Sequence, residues 1–212
     1  FCEGYGLSET ISATHINPLA NPKPQCLGIP IFDTWSMIVA PGTIDELPSG
    51  ETGELLIAGP QVMEGYWNHP EADEETFVTI DGRRYLRTGD MAYKDEEGYY
   101  FIVDRLKRMI NVSGYKVWPA ECEALLYRHP DIQECCVIAV QDSYRGESVK
   151  AFVTLRPQAR GRVSAEDIIE FARGVMAAYK VPRSVEFVDA LPRTASNKID
   201  WRRLQQAEME RS

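Results

Sequence analysis

Apolar positions in the first hundred residues come in short runs broken by turn formers. Pro18, Pro22, Pro24, Pro30, Pro41, Gly42, Pro48, Gly50, Gly53, Gly59 and Pro60 leave room mainly for short strands, because proline cannot donate to a ladder and both residues mark turns. The pattern predicts strands over 35–39, 53–58, 85–87 and 99–103, with Asp95-Glu96-Glu97-Gly98 turning the chain before the last of them. The acidic stretch 70–77 predicts a short surface helix behind Pro70.

The character changes after Val103. A charged run, Asp104-Arg105-Leu106-Lys107-Arg108, precedes the apolar 109–112, and Pro119 is placed to open a helix over 120–128. The segments 132–140 and 149–155, the first holding an apolar run of buried-strand length, predict two paired strands, and within a strand the adjacent Cys135 and Cys136 point to opposite faces. Ser164 and Asp167 have the spacing of a capping box, and Val163 and Ile168 that of a hydrophobic staple. Apolar residues at 168, 169, 172, 175 and 176 then share one helical face. That helix is expected to end near 177–180, ahead of Pro182. A strand over 185–188, a loop over 191–198 and a polar helix from Asp200, expected to fray for want of apolar surface, complete the pattern. The fold class expected is α+β: a distorted, barrel-like β-rich part over 1–103, a hinge at 104–107 and a small mobile lid over 108–212.

Composition narrows the function classes. With 212 residues and 44% hydrophobic content, the chain is long enough for one large core or two modest ones. Its apolar runs fall short of the roughly 20 residues that cross a bilayer. The first residues include no initiator methionine and no basic flank, so the chain is expected to be cut from something longer. The cysteines are five, an odd count, and form no CxxC pair, which favours packing roles and a reducing cytoplasm. Net charge is −9, yet residues 1–103 hold 17 acidic and 5 basic side chains whereas 104–212 hold 15 and 18. A basic second half suits an anionic ligand such as ATP or CoA, and the asymmetry equally serves solubility. No basic patch interleaved with aromatics appears, which argues against nucleic acid as a partner.

Three stations carry candidate chemistry. Gly4-Tyr5-Gly6 with Ser8-Glu9-Thr10 combines backbone freedom, an aromatic face, hydroxyls and a carboxylate, a mixture suited to a nucleotide with Mg²⁺. Arg87-Thr88-Gly89-Asp90 ends a strand with a carboxylate able to accept two ribose hydroxyls, or simply makes a turn. Pro192 to Lys198 sets one lysine behind a loop of small residues, where an ammonium can reach phosphate or carboxylate oxygens. There is no GxxxxGK[ST] phosphate loop.

In order, these stations resemble the adenylate-forming superfamily of acyl-CoA synthetases, luciferases and peptide-synthetase adenylation domains. The resemblance rests on Tyr5-Gly6-Leu7-Ser8-Glu9, on Gly53-Glu54-Leu55 through Gly59 to Gly65-Tyr66, and on Arg87-Thr88-Gly89-Asp90. It continues through Asp104-Arg105-Leu106-Lys107, Gly114-Tyr115-Lys116-Val117-Trp118-Pro119 and Pro192-Arg193-Thr194 to Lys198. The run Asn111 to Pro119 looks most like medium- and long-chain fatty acyl-CoA ligases.

The resemblance implies a two-step reaction, in which a small carboxylic acid and ATP give an acyl-adenylate that CoA then attacks, releasing AMP. It places Tyr5 against adenine, Ser8 on phosphate, Glu9 on Mg²⁺, Asp90 on the ribose and Arg105 on the nucleotide. Lys107 becomes the hinge and Lys198 the lysine bridging acyl carboxylate and α-phosphate. Ser113, Gly114 and Tyr115 match the loop approaching pantetheine, and Trp118 is either a wall for CoA or a packing residue beneath Pro119. Two departures stand out: Ser8 replaces threonine and Asn197 replaces glycine. The family's phosphate-binding element and most of its acyl site are expected to precede residue 1, so this piece alone is expected to be inert. A luciferase-like enzyme, a peptide-synthetase domain and a non-catalytic interaction module that self-associates through exposed apolar surface remain as alternatives.

Overall fold

The computed structural model describes residues 2–211. The chain divides into two compact units, Phe1–Lys107 and Arg108–Ser212.

In the first unit, β1 (Gly4–Gly6), β2 (Ala13–Ile16) and β3 (Ile29–Pro30) form a small antiparallel sheet. A larger sheet holds β4 (Trp35–Val39), β5 (Gly53–Ala58), β6 (Phe77–Ile80), β7 (Arg83–Lys94) and β8 (Tyr100–Arg105), with α1 (Pro70–Thr76) leading into β6. The early half of β7 lies between β5 and β6, and its later half lies between β5 and β8. A bridge between Gly28 and Tyr100 carries the curl on from β8 toward the small sheet. This matches the expected distorted, barrel-like β fold.

Every residue of β5 is buried, which explains its unbroken Gly-Glu-Leu-Leu-Ile-Ala run. One face, Leu55 and Ile57, packs with Ile38, Ala92 and Tyr100; the other, Leu56 and Ala58, packs with Val39 and Tyr85. The polar exception, Glu54, is paired with Arg87 at 2.7 Å, satisfying a charge that burial alone would make costly. Strand β7 is far longer than the expected 85–87, because the Arg87-Thr88-Gly89-Asp90 stretch continues the ladder instead of ending it.

In the second unit, β9 (Ile110–Val112) and β10 (Tyr115–Val117) form a tight hairpin, followed by α2 (Pro119–Leu126). Then come β11 (Ile132–Asp142), β12 (Gly146–Leu155), α3 (Ala165–Val175), β13 (Ser184–Phe187) and α4 (Trp201–Met209). The strand order is β10-β9-β12-β11, with β13 also paired, in parallel, to β12. Both faces of this sheet are covered. Cys135, Val137, Val149, Ala151 and Val153 face α2 and α3, whereas Cys136, Ile138 and Phe152 face Leu191, Trp201 and Leu204. The neighbouring cysteines thus point to opposite faces, as alternation requires.

The capping box forms: Asp167 N donates to Ser164 Oγ at 3.2 Å and Ser164 N donates to Asp167 Oδ2 at 2.8 Å. Two expectations for the helices are corrected. Helix α3 stops at Val175, before 177–180, because Met176 turns extended (φ −140°, ψ 161°) and packs on the core. Helix α4 is anchored, not frayed. Trp201 and Leu204 reach the sheet, Gln205 makes two hydrogen bonds with the backbone of Ala139, and Glu208 accepts from Lys150 at 2.7 and 2.8 Å.

Candidate functional site

Of the residues expected around a nucleotide, Tyr5, Asp90 and Arg105 meet in the first unit. Strand β7 bulges opposite Leu55: Leu56 pairs with Arg87 and Glu54 with Met91, so Thr88, Gly89 and Asp90 face a single partner residue. Gly89 takes a positive φ there (67°), the backbone state that glycine enters without strain. Thr88 Oγ1 pins the bulge by donating to Leu55 O at 2.8 Å and accepting from Asp90 N at 3.0 Å.

Asp90 itself is 2% exposed and pairs in register with Arg105 across β7 and β8. Arg105 Nε meets Asp90 Oδ1 at 2.6 Å, and Tyr5 OH donates to Asp90 Oδ2. A carboxylate offers about four lone-pair positions, so each oxygen keeps capacity for one further donor. Burial pushes the Asp90 carboxyl above its ordinary range, the Tyr5 hydrogen bond and Arg105 charge oppose this, and the carboxylates of Asp104 and Glu9 reinforce it. Burial and the Asp90 carboxylate likewise push the Tyr5 phenol upward.

Behind Tyr5 lies a residue the sequence reading passed over. His15 pairs with Tyr5 across β1 and β2, is fully buried, and meets the rings of Tyr5 and Tyr100 edge-on at 5.9 and 4.8 Å between centroids. Its Nδ1 lies 3.0 Å from Thr14 Oγ1, which donates onward to Tyr5 O at 3.3 Å. Nε2 is buried with no partner among the described residues.

Ser8 and Glu9 sit in a 3₁₀ turn following β1, Ser8 exposed and Glu9 half-buried. Glu9 is held twice, through its backbone O by Met63 N at 2.8 Å and through Oε1 by Tyr66 OH at 2.8 Å. The Tyr66 contact was missed because the two residues lie 57 positions apart, although Gly65-Tyr66 is part of the resemblance. Among the described residues no cluster of three or more metal-ligating side chains occurs. Glu9 would therefore offer Mg²⁺ a single carboxylate, which fits a cation that usually keeps several waters and binds through one or two carboxylates plus phosphates.

The second unit carries the remaining candidates. Lys198 is exposed at the end of a loop closed by the bridge Arg193↔Ile199. Thr194 N donates to Lys198 O at 2.8 Å, Lys198 N to Thr194 Oγ1 at 3.2 Å, and Asn197 N to Thr194 O at 2.9 Å. Asn197 takes the positive φ (63°) that glycine ordinarily supplies, and asparagine tolerates it better than most residues. Buried Leu191 and half-buried Ile199 root the loop in the core beneath α4.

Ser113 and Gly114 are the two turn residues between β9 and β10, with φ of 51° and 89°. Two successive positive φ values are what a type I′ hairpin requires, and a Cβ on Gly114 would meet nothing within 4 Å. Tyr115 stacks on Tyr179 with centroids 4.7 Å apart. Trp118 is half-buried just ahead of α2, where its carbonyl accepts from Glu121 N. Lys107 is exposed in the 3₁₀ turn after β8, and residues 104 and 105 belong to β8 itself.

Comparison with known proteins gives this geometry a context. Residues 1–67 match the family described as AMP-binding enzyme, and residues 121–198 match the AMP-binding enzyme C-terminal domain. A long-chain-fatty-acid–CoA ligase of Bacillus subtilis is 47% identical over 98% of this chain, which spans 36% of that protein. ATP-bound MatB from Rhodopseudomonas palustris superposes with a TM-score of 0.89 at 30% identity, covering 97% of this chain and 40% of its own. The o-succinylbenzoate coenzyme A synthetase MenE of B. subtilis, in complex with ATP and magnesium ion, does so at 0.81 and 31%, covering 96% and 41%. With both of its units matched in sequence and in fold, the chain belongs to the AMP-binding enzymes of the adenylate-forming type, and it spans less than half the length of these relatives.

Proposed function

We propose that the protein to which this chain belongs joins a carboxylic acid to CoA in two steps, through an acyl-adenylate made from ATP with release of pyrophosphate. The observation that carries this reading is the buried Asp90 carboxylate, oriented by Tyr5 and Arg105 on adjoining strands. A buried carboxylate above its ordinary pKa range is a poor structural choice. Its free lone pairs suit the two hydroxyls of a ribose, whose donors would offset the cost of burying the charge.

In this scheme Tyr5 borders the adenine, Arg105 neutralises charge beside the ribose, Ser8 offers a hydroxyl to phosphate, and Glu9 holds Mg²⁺ with Tyr66 fixing its carboxylate. The ion, when bound, screens the phosphate charge. Lys198 supplies a cation where carboxylate and α-phosphate oxygens are joined, stabilising charge without exchanging a proton. The Ser113-Gly114 turn, with Tyr115 and Trp118, serves the thiol-transfer step, and Lys107 is the pivot between the two arrangements.

Among acids, a fatty acid is proposed because a relative 47% identical to this chain is a long-chain-fatty-acid–CoA ligase. The chain by itself is proposed to be inert for adenylation, and the protein is proposed to work in a reducing cytoplasm, since its five cysteines include no CxxC pair. No helix among the described residues is long and apolar enough to cross a membrane.

The test is pyrophosphate release by the full-length protein over a panel of fatty, aryl and amino acids, with and without CoA. Acyl-CoA and AMP formed from a fatty acid support the reading; adenylation of amino acids without any CoA-dependent turnover would replace it with a peptide-synthetase assignment.

A further inference from the structure

Lys198 is exposed, and the residue before it is held by a side chain from outside its turn. Arg193 Nη1 donates to the carbonyl of Asn197 at 2.8 Å, and the same guanidinium's Nη2 is bound by the carboxylate of Glu134. Glu134 lies in β11, within the rigid sheet, so the guanidinium is a strut between the sheet and the peptide that leads into Lys198. The strut bears on Asn197, which holds a positive φ, a state less favourable for asparagine than for glycine and steadied by each neighbouring contact.

Glu134 reaches the loop through a deliberate irregularity of β11. Ile132 pairs with Leu155 and Glu134 with Thr154, so Gln133 is an extra residue in the ladder. In a regular strand Ile132 and Glu134 would share a face. The bulge separates them: Ile132 packs with Cys135 and Val137 against the helices α2 and α3, while Glu134 can serve the opposite face, where Cys136 and Ile138 meet Leu191 and Ile199.

We propose that Glu134, acting through Arg193, is a positioning residue that sets the placement of Lys198 for adenylation. This rests on the role given to Lys198 above. Side-chain exposures of 38% for Arg193 and 30% for Glu134 make the pair a weak source of stability, so its geometry, not its energy, is what the loop gains. Arg193 also cannot be replaced by lysine without loss, since one ammonium does not reproduce a planar fork holding two acceptors at once.

The experiment uses the full-length protein and measures pyrophosphate release with ATP and a fatty acid, alongside CoA-dependent consumption of supplied acyl-adenylate. Glu134→Ala and Arg193→Lys are expected to lower kcat for adenylation by roughly 10-fold, within what misplacement of a catalytic group costs, with KM and the second half-reaction unchanged. In a Lys198→Ala background, Glu134→Ala is expected to add nothing, because a positioning residue acts only through the group it positions. The exchanged pair Glu134→Arg with Arg193→Glu restores an ion pair but not the donor to Asn197 O, so it is expected to stay slow.

If Lys198→Ala slows adenylation while Glu134→Ala leaves it unchanged, or if the Glu134 and Lys198 losses multiply, the positioning role is overturned. Recovery in the exchanged pair would overturn it too, by showing that the ion pair alone suffices. If Lys198→Ala has no effect on either half-reaction, it is the assignment of Lys198 that fails.

Discussion

Acidification should unlock the first unit at His15. Burial pushes this imidazole down from 6.5 to about 4. Between those values the unfolded chain binds a proton that the folded chain refuses, so stability is full above about pH 6.5 and is lost as pH falls toward 4. The difference between 6.5 and about 4, at about 1.4 kcal/mol per pKa unit, corresponds to roughly 3 kcal/mol. That is a large share of the 5–15 kcal/mol typical of a domain. The structure gives no route of relief: Nε2 has no acceptor among the described residues, and the rings of Tyr5 and Tyr100 close on the imidazole. His15→Phe keeps an aromatic ring in that space and cannot titrate. Urea unfolding of both proteins from pH 7.5 to 4.5, followed by hydrogen exchange in peptides from β1 and β2, isolates the His15 contribution as the widening gap between the two curves. Parallel curves, within about 0.5 kcal/mol across that range, would refute the reasoning by showing that the imidazole finds a partner or water when charged.

Other expectations follow from the same geometry. Lys198→Ala in the full-length protein should slow adenylation by roughly 10²- to 10³-fold, the scale of losing one well-placed electrostatic stabiliser, and leave thioester formation from supplied adenylate nearly intact; pyrophosphate release and adenylate consumption report the two halves. Gly114→Ala should cost about 1 kcal/mol through strain at φ 89° alone, read as a shift in the urea midpoint. Gly114→Leu should add loss of the CoA step without loss of adenylation, because its side chain enters the open space outside the turn. Ser164→Ala should destabilise the second unit by about 1 kcal/mol through the lost cap of α3, seen as faster hydrogen exchange in the first turn of that helix.

The sequence was legible where a local rule decides the outcome. Short apolar runs between turn formers located β4, β5, β11 and β12, and the Ser164–Asp167 spacing located the start of α3. What it hid depends on partners far apart in the chain. The small sheet of β1, β2 and β3 contains an exposed glycine strand with no apolar alternation to reveal it. The β9–β10 hairpin has Ser113 where asparagine is the strong signal for a type I′ turn. Gly114 accordingly has a second duty, since the turn demands its φ whether or not a ligand approaches. The candidate site divides in the same way. Asp90 and Lys198 are visible as motifs, but the cover that Tyr5 and Arg105 place over Asp90, the Tyr66 hold on Glu9 and the Glu134 strut join residues that no spacing rule connects.

The register irregularities of the described sheets show what the fold gives up for this arrangement. They fall between Tyr5 and Gly6, opposite the Thr88–Asp90 stretch, between Met91 and Ala92, and at Gln133. Each bulge leaves ladder groups to be satisfied elsewhere, as Thr88 Oγ1 does for Leu55 O and Asp90 N. A one-residue slip in a regular strand would send every later side chain to the wrong face, so a bulge is the local means of re-aiming one residue while the core residues after it stay in place. That all four lie beside Tyr5, Asp90 or Glu134 ties these residues to a shared demand on side-chain direction that core packing does not impose. In β11 the demand is plain: Ile132 keeps its place among the core residues while Glu134 turns to the other face, and there the carboxylate does nothing for the core and holds the guanidinium that fixes the peptide before Lys198.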